Sequence, residues 1–151
     1  MQHYIGTKQI TAKPMSLGDY NEYRGWTIPK DEDPSTEGYL VVYSSDYESW
    51  SPKEVFDSAY LFMGEDNDGS TITEEMVQDF ICDQHNYKSG HKTTVITLIL
   101  RNGFEITETS SCVDAKNYNH ALGVSIATKR ATDKVWMLLG FLLQSARNGV
   151  A

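Results

Sequence analysis

An Asn-Gly pair between two β-rich segments constrains the fold of this chain more than any other feature. It lies at Asn102-Gly103, after TTVITLILR and before FEITET. A two-residue type I′ turn needs positive φ at both turn positions, which Asn and Gly tolerate best. The pair therefore predicts an antiparallel hairpin within residues 93–109.

The two predicted strands differ in the cover that they need. After the turn, Phe104 and Ile106 alternate with polar residues, so that strand has one apolar face. Before the turn, apolar residues fall on both faces: Val95, Ile96, Leu98, Ile99 and Leu100. A two-stranded hairpin is marginally stable alone. We therefore expect other parts of the chain, or another copy of it, to pack on both faces.

Helices are predicted on either side of the hairpin. Thr71 and Glu74 form a capping box at the start of TITEEMVQDFICDQ, whose apolar stripe is Ile72, Met76, Phe80 and Ile81. A long helix is predicted from a cap at Asp114 to a stop at Asn148-Gly149. Its second half is apolar nearly all round, with Val135, Trp136, Met137, Leu138, Leu139, Phe141, Leu142 and Leu143. Such a helix needs more cover than a surface helix does, which favours self-association.

The first 63 residues predict an aromatic-rich, acidic module. Its clearest strand is Gly38–Tyr43, and its clearest helix begins with Ser51 as the cap and Pro52 in the first helical position. Trp26 and Trp50 are expected to be buried anchors. The polar stretch GEDNDGS predicts a linker at 64–70, followed by a second domain at 71–151. The fold class is α+β: a β-rich module with one helix, then helix, hairpin and long helix.

Charge and composition exclude several classes of protein. Residues 1–70 hold 13 acidic and 5 basic residues, whereas residues 71–151 hold 8 of each. The acidic front half argues against binding a nucleic-acid polymer, but the back half could hold a local cationic site. No apolar run approaches a membrane span, and the start lacks a signal-peptide core, so we expect a cytoplasmic protein. Cys82 and Cys112 are expected to be small core residues.

The back half resembles the gene-product-49 family of tailed bacteriophages. The resemblance rests on VITLILRNGFEITETSSCVDAKNYNHALGVSIATKRATDKVWMLLGFLL and covers roughly residues 72–145. Its features are the strand–Asn-Gly–Phe hairpin, the SxCV strand end, the Asn-aromatic pair at the helix start, and the final Trp with GFLL. Where the family pattern commonly has Gly-Arg-Lys, this chain has Gly123-Val124-Ser125. A phosphate contact made by those cations would have to move to Lys129 and Arg130.

The front half resembles a leader module of phage proteins, some of which carry domains linked to disarming host immunity. That resemblance rests on HYIGTK, PMSLGDYNEYRGW, DEDPSTEGYLVVY and SWSPKEVFDSAY. A hairpin feeding a long helix in a symmetric oligomer is also similar in architecture to the Thoeris anti-defence sponges, which bind a nucleotide-derived immune signal without degrading it. These resemblances imply a phage protein that acts in the cytoplasm of the host cell.

The residues suited to a nucleotide signal are cations, aromatics and polar side chains of the back half. Arg101, Lys129 and Arg130 would meet phosphate, and Phe104 and Tyr118 would stack on a base. Asp114 or Asn117 would contact the ribose or base edges. The alternative interpretation is that Phe104 is core, Asn117 belongs to the helix cap, and the cations form a solvated face.

Other site chemistries find less support. GEDNDGS places Gly64 where a calcium loop requires a carboxylate. Cys82, His85, His91 and Cys112 lack the paired spacing of zinc sites, and no catalytic motif is present. We therefore expect no metal, no cofactor and no catalysis. The hypothesis is a homo-oligomer that sequesters a cyclic nucleotide-type signal at a subunit interface. The alternative is a protein–protein inhibitor acting on a host factor through the acidic module.

Overall fold

The computed structural model describes residues 1–151, which divide into two compact units. Unit 1 comprises Met1–Phe62 with Ser145–Ala151, and unit 2 comprises Met63–Gln144. Each unit holds one three-stranded antiparallel sheet together with helices. The predicted α+β class is confirmed. None of the helices has an apolar segment of the length and composition that a membrane span requires.

Unit 1 is built on a sheet with the order β1-β2-β3. Its elements are β1 (Thr11–Pro14), α1 (Leu17–Arg24), β2 (Gly38–Val42), β3 (Glu48–Pro52) and α2 (Lys53–Ala59). The predicted strand at 38–43 is thus the central strand, and its Leu40 and Val41 are buried. The unit has two helices where the sequence predicted one.

The start of α2 differs from the predicted one. Ser51 pairs with Tyr39 in the sheet, and Pro52 pairs with Gly38, so both residues are extended. Pro52 takes the cap position and the helix begins at Lys53 without a side-chain cap. The helix prediction failed at this end because sheet pairing prevailed over the local Ser-Pro signal. Of the two expected tryptophan anchors, Trp50 is half-buried and donates from Nε1 to the Met15 carbonyl at 2.8 Å.

Unit 2 places a sheet with the order β4-β5-β6 beside the long helix. Its elements are α3 (Glu74–Phe80), β4 (Ile81–Ser89), β5 (Thr93–Leu100), β6 (Glu105–Ser111), a 3₁₀ helix (Ala115–Asn117) and α4 (His120–Asn148). The last four residues of α4, 145–148, are assigned to unit 1. The end of α4 is as predicted, because Gly149 adopts a φ of 84° directly after Asn148.

Strand β4 was not predicted. The sequence placed Ile81 on the apolar stripe of a helix, but α3 ends at Phe80 and Ile81 pairs with Leu100. The helix cap is Thr73, whose Oγ1 accepts from the backbone N of Met76 at 3.2 Å, in place of the predicted Thr71. Pairing along β5 explains the change, because an apolar strand gains a second hydrogen-bonded neighbour.

Both cysteines are free, and neither is buried in the core. Cys82 is exposed on β4, and Cys112 is half-buried just after β6. The expectation that they are small core residues is therefore wrong. For Cys82 the cause is the unpredicted edge strand, which turns alternate side chains towards solvent.

The hairpin turn is present, but it has three residues where two were predicted. Leu100 N donates to the Phe104 carbonyl at 2.9 Å, and Gly103 N donates to the Leu100 carbonyl at 2.8 Å. Gly103 has a φ of 85°, whereas Asn102 does not have positive φ. This is a type I turn followed by a left-handed glycine, which closes a three-residue loop. Asn102 still contributes, because its Oδ1 accepts from Phe104 N at 3.1 Å.

Helix α4 covers one face of the sheet of unit 2. The β5 residues on that face are almost completely buried: Thr94, Ile96, Leu98 and Leu100. They meet a stripe of α4 residues spaced four apart, each at most 2% exposed: Ala127, Ala131, Val135 and Leu139. Gly123 extends this stripe to the first turn of the helix. The prediction that the long helix packs on the hairpin is confirmed.

The second face of β5 is shielded by side chains of the adjacent strands. Val95, 8% exposed, lies opposite Tyr87 of β4 and Thr109 of β6. Thr97 and Thr107 share a hydrogen bond of 2.8 Å on the same face. Threonine and tyrosine side chains thus cover part of the second apolar face of β5, for which the sequence identified no particular partner. The rest of this face stays open to solvent.

The apolar second half of α4 keeps a large exposed area. Met137 is 64% exposed and Phe141 is 72% exposed, and Trp136 and Leu142 are 37% and 40% exposed. The surplus of apolar surface predicted for this helix is therefore real within the single chain. Contiguous apolar surface of this kind is typical of interaction sites.

An ion pair between β6 and α4 makes the stability of unit 2 depend on pH. Glu108 pairs with Lys134, and this hydrogen bond holds the pKa of Glu108 below its ordinary value of 4.5. The ionised carboxylate therefore stabilises the fold above about pH 4.5, and this contribution is lost as the pH falls through the lowered pKa. We expect Glu108→Gln to reduce the free energy of unfolding at about pH 7 and to flatten its decline towards about pH 3.

Urea denaturation of unmodified and Glu108→Gln protein across this pH range measures the effect. Glu74→Gln, in the first turn of α3, is a control that removes the same charge without removing this ion pair. Parallel declines for all three proteins would contradict the assignment.

Candidate functional site

A chain of hydrogen-bonded side chains joins the start of α4 to the sheet of unit 2. The Tyr118 hydroxyl lies 3.0 Å from Thr94 Oγ1 and 2.8 Å from His120 Nδ1. His120 Nε2 lies 2.9 Å from Asn86 Oδ1. Because an amide oxygen can only accept, Nε2 of the neutral ring donates and Nδ1 accepts from Tyr118, whose oxygen accepts from Thr94. The ring of His120 is thereby held on both sides.

Local structure explains why these residues meet. In the sheet register, Lys88 lies opposite Thr94, and Asn86 lies opposite Ile96. Asn119 caps α4, since its Oδ1 accepts from Leu122 N at 3.0 Å, which places His120 in the first turn. Tyr118 thus lies directly before the helix.

The predicted cap at Asp114 belongs to a different element. Asp114 Oδ1 accepts from Lys116 N at 2.9 Å and caps the 3₁₀ helix. The prediction that Asp114 begins the long helix is therefore wrong. The 3₁₀ helix, Tyr118 and a separate cap at Asn119 lie between Asp114 and α4.

Positive charge gathers at this end of unit 2. The Lys88 ammonium lies 4.5 Å from the centroid of the Tyr118 ring, a cation–π contact. Lys92 Nζ donates to the Val113 carbonyl at 2.9 Å, and Lys116 lies in the 3₁₀ helix. The N-terminus of α4 adds its partial positive charge. We call Lys88, Lys92, Lys116, Tyr118 and His120 the basic end of unit 2.

The basic end contrasts with the chain as a whole, whose formal net charge is −8. It combines ammonium groups with an aromatic face and with hydroxyl and imidazole groups. These are the groups that bind phosphate and stack on a base. The arrangement suits a small anionic ligand with an aromatic part.

The structure separates the predicted ligand residues into three places. Asp114, Asn117 and Tyr118 lie together at the basic end. Arg101 and Phe104 lie at the hairpin turn, at the opposite end of β5, so about 20 Å of strand separates them from Tyr118. Phe104 is 55% exposed and is not a core residue.

The two predicted cations of α4 lie between these ends and have partners within unit 2. Lys129 pairs with Asp133 at 3.1 Å, and Arg130 Nη1 donates to the Thr109 carbonyl at 2.7 Å. Arg130 thus fastens α4 to β6. The ligand contacts proposed for the seven residues of the sequence analysis therefore remain predictions.

Sequence reasoning missed Asn86, Lys88, Thr94 and His120. The first two lie on β4, and residues of an unrecognised strand cannot be placed beside Tyr118. The segment ICDQHNYKS has no alternation of apolar and polar residues that would mark it as a strand. The only indication for His120 in the sequence is its position two residues after Tyr118.

No group of three or more His, Cys, Asp or Glu side chains is arranged to hold a metal ion. His85, considered above as a possible zinc ligand, has its Nε2 3.3 Å from a carboxylate oxygen of Asp83. In GEDNDGS, the segment compared with a calcium loop, Asn67 Oδ1 accepts from Gly69 N and Asp68 Oδ1 accepts from Ser70 N, each at 2.9 Å.

One family model matches this chain. It is described as the phage protein (N4 Gp49/phage Sf6 gene 66) family, and it matches residues 72–147. The matched range contains α3, the whole sheet of unit 2, the basic end and nearly all of α4. No curated protein and no solved structure matches the chain.

Proposed function

Because the chain belongs to the phage protein (N4 Gp49/phage Sf6 gene 66) family, we propose that it acts inside an infected cell as a counter-defence protein. In this proposal it binds a small nucleotide-derived signal of host immunity and sequesters it without catalysis. The observation that carries the proposal is the Lys88 ammonium over the ring of Tyr118. Tyr118 lies between the 3₁₀ helix that contains Lys116 and the start of α4.

The contacts of this site fit a nucleotide in a defined way. Tyr118 is held by Thr94 and His120, so its ring face is fixed in position. A base stacking on that face would displace Lys88 from the ring, and its flexible ammonium would then reach a phosphate. Lys116 and the first turn of α4 offer further positive charge to the same phosphate.

In this proposal His120 positions Tyr118 and does not act on the ligand. Its Nδ1 accepts from the Tyr118 hydroxyl and its Nε2 donates to Asn86 Oδ1, so the ring holds Tyr118 in place. We therefore expect the ligand to be released unchanged when the protein is denatured.

Self-association is part of the proposal. Met137 and Phe141 form an exposed apolar surface on α4, together with Trp136 and Leu142. A symmetric dimer would bury such a surface and could bring a residue of the second copy to the open side of the basic end. Tyr118 and its neighbours form only one wall of a pocket, which a second copy would complete.

A thermal shift panel tests the proposal. We expect one member of a set of cyclic dinucleotides, cyclic trinucleotides and ADP-ribose derivatives to raise the melting temperature of the full chain. Saturation at about 100 times the dissociation constant adds about 2.7 kcal/mol of stability. Lys88→Ala and Lys116→Ala should each reduce the shift, because each removes a charge that would meet phosphate.

The matched control is Lys13→Ala, which removes one positive charge from an exposed position of β1 in unit 1. Chromatography of the ligand after denaturation distinguishes sequestration from conversion to a product. Light scattering on the same samples gives the number of copies. A monomer without any shift, or equal losses for Lys88→Ala and Lys13→Ala, would refute the proposal.

A further inference from the structure

An open groove in unit 1 lies between α1 and the residues that follow it. Its volume is about 530 Å³, and its lining includes Asp19, Glu22, Trp26, Ile28 and Pro34. Both ionisable residues of the lining are acidic. The lining combines apolar side chains with two carboxylates, a combination that fits a ligand with both apolar and cationic parts.

Backbone contacts fix the walls of the groove. Gly18 N donates to the Pro34 carbonyl at 2.9 Å, and Leu17 N donates to the Thr36 carbonyl at 2.9 Å. The approach is so close that a Cβ on Gly18 would lie 2.7 Å from Pro34 Cβ. Helix α1 and the loop at 34–36 therefore hold each other in place, and the groove exists before any ligand binds. Preorganisation of this kind reduces the cost of binding.

Trp26 supplies an aromatic surface at the groove. The sequence predicted a buried anchor, but Trp26 is 53% exposed, so that prediction is wrong. Its backbone N donates a hydrogen bond to the Asn21 carbonyl at 2.8 Å. The Tyr20 and Trp26 rings pack edge to face, with their centroids 5.8 Å apart. The Arg24 guanidinium lies 4.9 Å from the Trp26 ring. The ring therefore already accepts one guanidinium group.

The charge around the groove is negative on balance, because carboxylates outnumber the nearby cations Arg24 and Lys30. Asp31, Glu32 and Asp33 lie in the loop that leads to Pro34. Hydrogen bonds from Ser35 hold the pKa of Asp33 below its ordinary value, so this carboxylate stays ionised. A phosphate-bearing ligand would be repelled from this surface, whereas a guanidinium or ammonium group would be attracted.

We infer that this groove binds an arginine-bearing, cationic peptide segment of a partner protein. A guanidinium of the segment stacks on Trp26, and its N–H groups donate to the carboxylates of Asp19 and Glu22. Arginine suits this site better than lysine, because the planar guanidinium can stack and can form two parallel hydrogen bonds to a carboxylate. This goes beyond the proposed function, which concerns the basic end of unit 2.

Fluorescence polarisation with a labelled hexa-arginine peptide and the full chain tests the inference. We expect saturable binding that is weaker for hexa-lysine and that falls with salt. The double variant Asp19→Asn/Glu22→Gln should weaken hexa-arginine binding by about tenfold or more. Trp26→Ala should weaken it as well, and Trp26→Phe should fall between, because phenylalanine keeps an aromatic face.

The matched control is the double variant Asp46→Asn/Glu54→Gln. It removes two carboxylates from exposed positions of unit 1 outside the groove. Equal weakening by the two double variants would show attraction by net charge alone and would overturn the inference. So would an absence of saturable binding to the unmodified chain, or equal affinity for hexa-arginine and hexa-lysine. Circular dichroism of each variant verifies that the fold is retained.

Discussion

Replacing Gly123 with Ala should lower the free energy of unfolding by about 1–3 kcal/mol, as overpacking of a tight interface does. The same replacement at Gly140, in the same helix, should raise it by about 0.5–1 kcal/mol, because alanine is the better helix former. The two substitutions are chemically identical, and only their surroundings differ.

The surroundings of Gly123 leave no room for a methyl group. A Cβ there would lie 2.8 Å from the Cβ of Thr94 and still closer to its hydroxyl oxygen. Rotation of the threonine side chain cannot move its Cβ, so strand β5 or helix α4 has to shift. Such a shift would also disturb the hydrogen bond between Thr94 and Tyr118. At Gly140 nothing lies within 4 Å of the added carbon.

Urea denaturation of the three proteins measures both effects. The Gly123→Ala protein should also show a weaker ligand-induced thermal shift, because Tyr118 loses its support. A neutral or stabilising Gly123→Ala would mean that α4 does not pack this closely on β5. A destabilising Gly140→Ala would mean that α4 is covered there by something outside the single chain.

The elements of unit 2 could be predicted where local signals and packing agree. The Asn102-Gly103 pair marked the hairpin correctly, and Gly149 marked the end of α4. The exact turn could not be predicted, since Asn-Gly fits both a two-residue loop and a three-residue loop with a left-handed glycine. Strand β4 was not predicted because its side chains are mostly polar and exposed. It forms a strand because its backbone pairs with that of β5.

The candidate site was predictable only in part, for a related reason. Tyr118 and Asn117 are marked by their position at the start of a helix, which the sequence shows. Lys88 comes beside Tyr118 through strand register, which depends on β4. Arg101 and Phe104 have side chains suited to a nucleotide site, but the length of β5 keeps them apart from Tyr118. Residue chemistry alone therefore could not show which of the candidate residues lie together.

Adjacent residues of β5 should respond very differently to truncation, because they lie on opposite faces of the sheet. Leu98 is completely buried beneath α4, whereas Ile99 is half-buried on the open face. We expect Leu98→Ala to lower the free energy of unfolding by about 2–5 kcal/mol, since it leaves a cavity in a packed core. Ile99→Ala removes the same number of carbon atoms and should cost less than about 2 kcal/mol, because solvent already reaches that side chain.

Urea denaturation at several protein concentrations measures this difference and also reports on self-association. In a monomer, both free energies are independent of concentration. If a second copy covers the open face, the cost of Ile99→Ala rises with concentration, because dimerisation stabilises only the folded chain. Phe141→Ala, at a 72% exposed position of α4, provides the matching test for the helix surface. Equal costs for Leu98→Ala and Ile99→Ala at low concentration would contradict the two-faced sheet, since they would place both side chains in one core.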